Sequence, residues 1–207
     1  ITFISKKLTS EFDSIIQSTQ SLIIIVDEDL IELGNTTSLP NEITFVLSKN
    51  AKKDLFDCAS NFFNIDNKVS ETHIEPSAKI DKNVVIGSKI FIGANVVIEE
   101  NVKIGNQCTI GAGTVIKRNT TIGDKVIIGS CNVIGGDGFG YIKDQDTGKY
   151  ELFPHYGGVC IKDEVHVGNN TCIDRGSLKD TVIGEGVKID NLVHIAHNVS
   201  IGKNSLI

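Results

Sequence analysis

From Ile74 to Ile134 an isoleucine recurs every sixth residue without a break, at Ile74, Ile80, Ile86, Ile92, Ile98, Ile104, Ile110, Ile116, Ile122, Ile128 and Ile134. An amphipathic helix repeats its apolar positions about every 3.6 residues and a half-buried strand every two, so neither element alone accounts for a period of six. A chain that makes a very short strand, turns and starts again does account for it. The repeat is a hexapeptide.

Two residues before the isoleucine the side chain is usually small or β-branched, as at Ala78, Val84, Val96, Val102, Cys108, Thr114, Thr120 and Val126. Strand alternation puts these positions on the face of the isoleucine and the residue between them on the other. Glycine follows the isoleucine at Gly87, Gly93, Gly105, Gly111, Gly123, Gly129 and Gly135, which reads as a corner that needs unusual backbone angles. Three hexads then close one triangular coil, and coils stack at the strand spacing of about 4.8 Å with isoleucine over isoleucine.

The beat stops after Ile134 for an insert, Gly135–Gly158, rich in glycine and aromatic residues, and resumes at Ile161, Val167 and Ile173. The step from Ile173 to Ile183 is ten residues instead of six, so four residues bulge out within Gly176–Asp180. Ile183, Ile189, Ile195, Ile201 and Ile207 then continue the series, which amounts to about six coils. Insertions in a solenoid leave one face, where loops can build a site. Both interruptions flank the same histidine-bearing coils.

Residues 1–70 lack the hexad rule. Ile1–Ser5, Ser21–Asp27 and Glu42–Ser48 read as short strands, while Ser10–Ser18 and Ala51–Phe63 carry apolar residues at helical spacing, including Leu55, Phe56 and Ala59 in the second. The expected organisation is a small α/β domain over 1–70 and a hexapeptide domain over 71–207, joined near the polar run Asn64–Thr72. A second Ile-Thr-Phe, Ile43–Phe45, reads as a core strand.

The net charge of −6, without a concentrated Lys/Arg stripe, argues against a nucleic-acid partner. Five widely spaced cysteines with no CxxC pair read as reduced thiols in a cytoplasmic protein, not as a disulfide framework or a zinc site. Leu22–Val26, the longest aliphatic run, falls far short of the ~18 residues of a spanning helix, so no transmembrane segment is expected. There is no methionine, even at position 1, and the chain stops within a repeat, which reads as a fragment lacking both ends.

The run Lys188–Gly202, KIDNLVHIAHNVSIG, holds two histidines. His194 precedes an inward isoleucine and belongs on the outer face, and His197 falls just beyond the corner. Counting back one coil, with the four-residue bulge allowed for, puts Ile195 over Ile173, His197 over Arg175 at about 4.8 Å, and Ala196 over Asp174. A guanidinium so close would favour the neutral imidazole. The alternative turns Arg175 outward to hold Asp174 or Asp180.

The hexads resemble those of the hexapeptide-repeat acyltransferases, a resemblance that implies a left-handed parallel β-helix. More narrowly, Asp137–Tyr141 (DGFGY), Cys172–Gly184 (CIDRGSLKDTVIG) and KIDNLVHIAHNVSIG resemble, in this order and spacing, the UDP-3-O-acylglucosamine N-acyltransferase family of lipid A synthesis. ITFIS followed by SLIIIVDEDL also resembles that family's uridine-binding domain. The resemblance implies that His197 is the catalytic base. It implies that Asp190 and Asn191 lie near the acceptor sugar and that Phe3 stacks on uracil, while the coil count makes Arg175 the supporting residue.

By the same resemblance the acceptor is the 2-amine of a UDP-linked, 3-O-acylated glucosamine. The donor is a 3-hydroxyacyl group on the phosphopantetheine of acyl carrier protein, with no permanently bound cofactor or metal, and the assembly is a homotrimer with sites between neighbours. Lys6 and Thr9 stand where that family has asparagine and tyrosine. This keeps open a sugar-nucleotide N-acyltransferase of another pathway, using a coenzyme A thioester. A γ-type carbonic anhydrase and a non-catalytic scaffold are further alternatives. Spaced glycines in GGDGFGY neither follow a Rossmann strand nor open a helix, so they read as a flexible loop near the acyl chain.

Overall fold

The computed structural model describes residues 1–4, 23–30, 44–62 and 70–207. The chain divides into two compact units, Ile1–Asn67 and Lys68–Ile207. In the first, β1 (Thr2–Ile4), β2 (Ile23–Asp27) and β3 (Thr44–Ser48) form a parallel sheet in that order, with α1 at Ala51–Phe62. Four successive β2 residues, Ile24–Asp27, are buried, as expected of a central parallel strand. Asn50 Oδ1 accepts the Lys53 N–H at 3.1 Å and caps α1, while Asp27 Oδ1 takes the Ala51 N–H at 2.7 Å.

Two expectations fail in this unit. Among the described residues β3 lies at the edge of the sheet and is not a core strand, with Val46 and Leu47 exposed and only Ser48 buried. Phe56 points to solvent at 67% exposure, because the inner face of α1 runs through Ala51, Leu55, Cys58 and Ala59. The expected helix over Ser10–Ser18 lies outside the described residues.

The second unit is a parallel β-helix. Three six-stranded parallel sheets make its walls, and a Lys188–Leu206 bridge opens a seventh coil. Most strands are two residues long, and isoleucine pairs with isoleucine up each wall, except where Val167 takes the place between Ile128 and Ile189. One wall stacks Ile80, Ile98, Ile116, Ile134, Ile173 and Ile195 in register. From Ile92 to Ile134 every isoleucine of the series is buried, while Ile74 in the first coil is 41% exposed, with no described strand stacked below it. Asn132 breaks the apolar rule two residues before Ile134. It is fully buried, yet its amide donates to Gly129 O and Gly168 O at 2.8 Å each and accepts the Thr171 N–H at 2.7 Å.

The corners work differently from the expectation set by the glycines. The left-handed backbone falls three residues after the isoleucine, at Lys89, Asn95, Asn101, Asn119 and Asn198 among others, with φ of 56–63°. Asparagine tolerates that region. The glycine just after the isoleucine is instead a matter of space, since a Cβ on Gly111 would lie 2.5 Å from the carbonyl carbon of Gly129 in the next coil. Of the seven glycines in that position, only Gly135 has a positive φ, at 87°.

Ile104, 3% exposed, sits between Ile86 and Ile122 on one wall. Ile104→Ala is expected to destabilise the solenoid by about 2–5 kcal/mol, since ladders above and below prevent collapse into the cavity. Ile127→Ala, at an outward position 40% exposed, serves as the reference and should cost under about 1 kcal/mol. Urea unfolding of the two variants checks both values.

Candidate active site

The two interruptions of the repeat are bonded to each other. The strand Val133–Gly136 overruns Ile134 and shifts register at Gly136. Beyond it, Tyr141–Lys143 and Tyr150–Leu152 pair as an antiparallel hairpin. Asp144 closes the turn, with Oδ1 accepting the Thr147 N–H at 2.6 Å and its hydroxyl at 2.7 Å. The backbone bond from Thr147 leads in holding the Asp144 carboxyl below its ordinary pKa. On the return, Tyr156 N–H donates to Ser177 O at 2.8 Å and Gly157 N–H to Gly176 O at 3.0 Å. GGDGFGY therefore leads into a hairpin that is bonded to the bulge.

His197 lies where these segments meet. The Ser177 N–H donates to Asn198 Oδ1 at 2.8 Å, which fixes the Asn198 amide. Its Nδ2 then faces Ser177 Oγ at 3.1 Å and His197 Nδ1 at 2.7 Å. Nδ1 is thus an acceptor, and the neutral ring in this arrangement carries its proton on Nε2. Ser177 Oγ stands 3.3 Å from the same Nδ1. Thr181 Oγ1 accepts the Asn198 N–H at 3.0 Å and pins the corner.

Two parts of the insert touch the His197 ring. His155 meets it edge to face, with centroids 4.9 Å apart and planes at 83°. Gly138 is buried against it, and a Cβ there would approach Cδ2 to 2.5 Å. His155 is 6% exposed and, among the described residues, neither ring nitrogen has a hydrogen-bond partner. An unsatisfied buried polar group costs about 1–3 kcal/mol. His155, Ser177 and the part played by Asn198 have no sign in the sequence: the insert breaks the period that places every other side chain, and the bulge displaces the residues on its C-terminal side.

His194 lies on the outer face, its side chain 60% exposed, with Nε2 2.9 Å from Oδ2 of the buried Asp174. A groove of about 610 Å³ opens beside this pair. Phe139, Tyr141, Leu152, Leu192 and Val193 give it apolar walls, and Asp174 and His194 give it a polar end. Gly138 borders this groove and also backs the His197 ring.

Arg175 does not approach His197. Pairing with the coil above stops at Ile173–Ile195, and the Arg175 N–H turns down to Gly136 O at 2.8 Å. Alternation from Ile173 sends the side chain inward, where it is 1% exposed, so neither the stacked position nor the outward turn occurs. Its Nε donates to Gly135 O at 2.8 Å and its Nη2 to Arg118 O at 3.1 Å, with Asp137 Oδ1 3.6 Å away. Burial lowers the guanidinium pKa, as does the Arg118 charge, against Asp137 and Glu99, and the group stays charged at neutral pH. Arg175 therefore anchors the root of the insert. Asp174 pairs with Gly136 and His194 and does not stack under Ala196.

Asp190 and Asn191 occupy the corner before the His194 strand, whereas His197 follows that strand. Asn191 Oδ1 accepts the Asn169 N–H at 2.6 Å, and Asp190 Oδ1 takes the Asn191 N–H at 2.8 Å. The groove begins at Leu192, one residue later. Phe3 lies in β1, half-buried and paired with Ile25, while Lys6 and Thr9 lie outside the described residues. Among the described residues, no three His, Cys, Asp or Glu side chains converge as metal ligands, and no helix is long and apolar enough to cross a membrane.

Comparison with known proteins matches a family described as bacterial transferase hexapeptide (six repeats) over residues 83–118, 101–136 and 180–207. Those segments of the solenoid are similar to the hexapeptide repeats of bacterial transferases. A UDP-3-O-acylglucosamine N-acyltransferase from Pseudomonas syringae pv. tomato is 53% identical over 73 residues, 35% of this chain and 20% of that protein. One from Leptothrix cholodnii is 60% identical over 67 residues, 32% of this chain and 19% of that protein. The matched segments thus span about a fifth of those relatives.

Among solved structures, a UDP-N-acetylglucosamine acyltransferase from Bacteroides fragilis superposes with a TM-score of 0.56 at 28% identity, over 65% of this chain and 50% of that one. WeeI from Acinetobacter baumannii shares the fold across 100% of this chain and 95% of its own, with a TM-score of 0.53 at 13% identity.

Arg175→Gln is expected to lower stability by about 1.5–3 kcal/mol, the worth of a hydrogen bond to a charged group, since the shorter amide cannot bridge Gly135 O and Arg118 O. A denaturant midpoint shift measures it, and protease nicking within 141–152 should quicken in parallel.

Proposed function

We propose that this chain is part of an N-acyltransferase that moves a 3-hydroxyacyl group from a carrier-bound thioester to the 2-amine of a UDP-linked, 3-O-acylated glucosamine. The observation that carries this reading is the half-buried His197, held through Nδ1 by Asn198 and backed by Gly138, which also lines a largely apolar groove. The segment identities to named UDP-3-O-acylglucosamine N-acyltransferases support the same reaction. The amine attacks the thioester carbonyl, His197 takes the proton from the amine, and collapse of the tetrahedral adduct releases the thiol, to which the proton passes.

Base work at Nε2 requires its lone pair, so the ring proton must reside on Nδ1. A half-turn of the Asn198 amide brings Oδ1 to Nδ1 and accepts that proton, at the loss of the bond from Ser177 N–H. In this reading Asn198 exchanges a resting arrangement, with Nε2–H outward, for an active one. The groove takes an acyl chain along Phe139, Tyr141 and Leu152. Asp190 and Asn191 contact the acceptor sugar where the groove starts, and Phe3 stacks on the uracil. The acyl donor is acyl carrier protein, the assembly is a homotrimer and the protein acts in the cytoplasm.

The full-length protein should acylate the UDP-linked amine from a 3-hydroxyacyl carrier protein, and activity only with a dTDP-linked amino sugar and acyl coenzyme A would overturn the substrate assignment. His197→Ala should reduce kcat by about 10²–10⁴-fold, the contribution of a general base. Asn198→Asp supplies a fixed acceptor for Nδ1–H but adds a charge that favours the imidazolium. The acidic limb of its rate profile should therefore move to higher pH.

A further inference from the structure

We infer that His155 is a positioning residue for His197: the insert folds back so that the His155 ring and the bare Cα of Gly138 both pack against the His197 imidazole. The inference rests on the reading of His197 as the base, but its geometry stands apart from any substrate. His155 is nine-tenths buried and its ring lies 4.9 Å from that of His197, nearly perpendicular. Among the described residues neither of its nitrogens is bonded, so its contribution is made through the ring. Phe153 supports it edge to face at 6.3 Å, and Gly140 leaves only 3.3 Å between a would-be Cβ and its Cε1. The ring therefore has little room to turn aside.

The other contacts of His197 run through Nδ1 alone. Asn198 and Ser177 both meet that one atom, so they hold the ring by its Nδ1 edge and leave its faces and its Cδ2 edge to other groups. Gly138 and His155 supply the missing restraint on the ring plane. A base must face its proton within hydrogen-bond reach, and a small error in that geometry is expensive in rate.

The test uses the full-length protein and three variants, His155→Ala, His155→Phe and Gly138→Ala. Carbethoxylation of His197 by diethyl pyrocarbonate, without substrate, is followed by peptide mass spectrometry with exposed His194 as the internal reference. The relative His197 rate should rise severalfold in His155→Ala and return towards wild type in His155→Phe. In steady-state acyl transfer, His155→Ala should lose about 10- to 100-fold in kcat with KM little changed. His155→Phe should recover most of that loss and melt no lower than wild type, because it keeps the ring and discards two unsatisfied nitrogens. Gly138→Ala should lower kcat by pushing the ring aside.

An unchanged His197 modification rate in His155→Ala would overturn the clamp. So would a phenylalanine variant as slow as the alanine one, which would make the nitrogens the working part. If the wild type transfers no acyl group to any amino sugar while the modification rates behave as expected, the proposed reaction fails and the clamp stands.

Discussion

Everything in the solenoid depends on one coil lying directly on the next. Each two-residue strand is too short to hold itself, and its inward isoleucine is covered only because the isoleucine of the following coil lands on it in register. At that stacking distance the backbone corner has no room for a Cβ, as the 2.5 Å approach at Gly111 indicates. Where a glycine such as Gly111 follows the isoleucine, it is therefore a consequence of stacking and not of turn geometry. The turn itself falls on residues such as Asn95 and Asn101, whose left-handed backbone an asparagine accepts at little cost.

That dependence explains how much could be read in the sequence. Strict period and strict alternation determine which side chains face inward, so the core from Ile92 to Ile134 comes out of counting alone, and so does the pairing of Ile173 with Ile195. Counting fails where the period fails. Arg175 is the clearest case, because alternation rightly sends it to the face of Ile173, yet the bulge after it removes His197 from the place above it. The distance inferred between the two side chains assumed that both coils turn their corners alike.

The α/β unit was legible for a different reason and to a smaller depth. Its strands carry local signals, a run of β-branched residues such as Ile23–Asp27, and these give position without giving neighbours. Edge and centre of a sheet differ by what lies alongside, so the exposure of Val46 and Leu47 in β3 had no local sign. Phe56 likewise shares the helical spacing of Leu55 and Ala59 closely enough to pass for the same face. Pattern separates inward from outward in a solenoid better than in a helix, because a strand has two faces and a helix has a continuum.

The site forms at the coils where the repeat breaks. A regular coil can present its outward residues only as a flat wall, and a flat wall does not enclose a reacting group. Insert and bulge escape the wall together, joined by the bonds from Tyr156 and Gly157 to Ser177 and Gly176, and the Arg175 guanidinium ties the root of the insert to the corner at Arg118. The stiffness needed there comes from the same stack that fixes the isoleucines, since Arg175 reaches inward along the face of Ile173. A buried cation is costly unless its donors are met, and here they are met by backbone carbonyls that the β-helix already holds in place. The fold thus contributes to the site through carbonyl positions and lends its rigidity to a segment that does not obey its period.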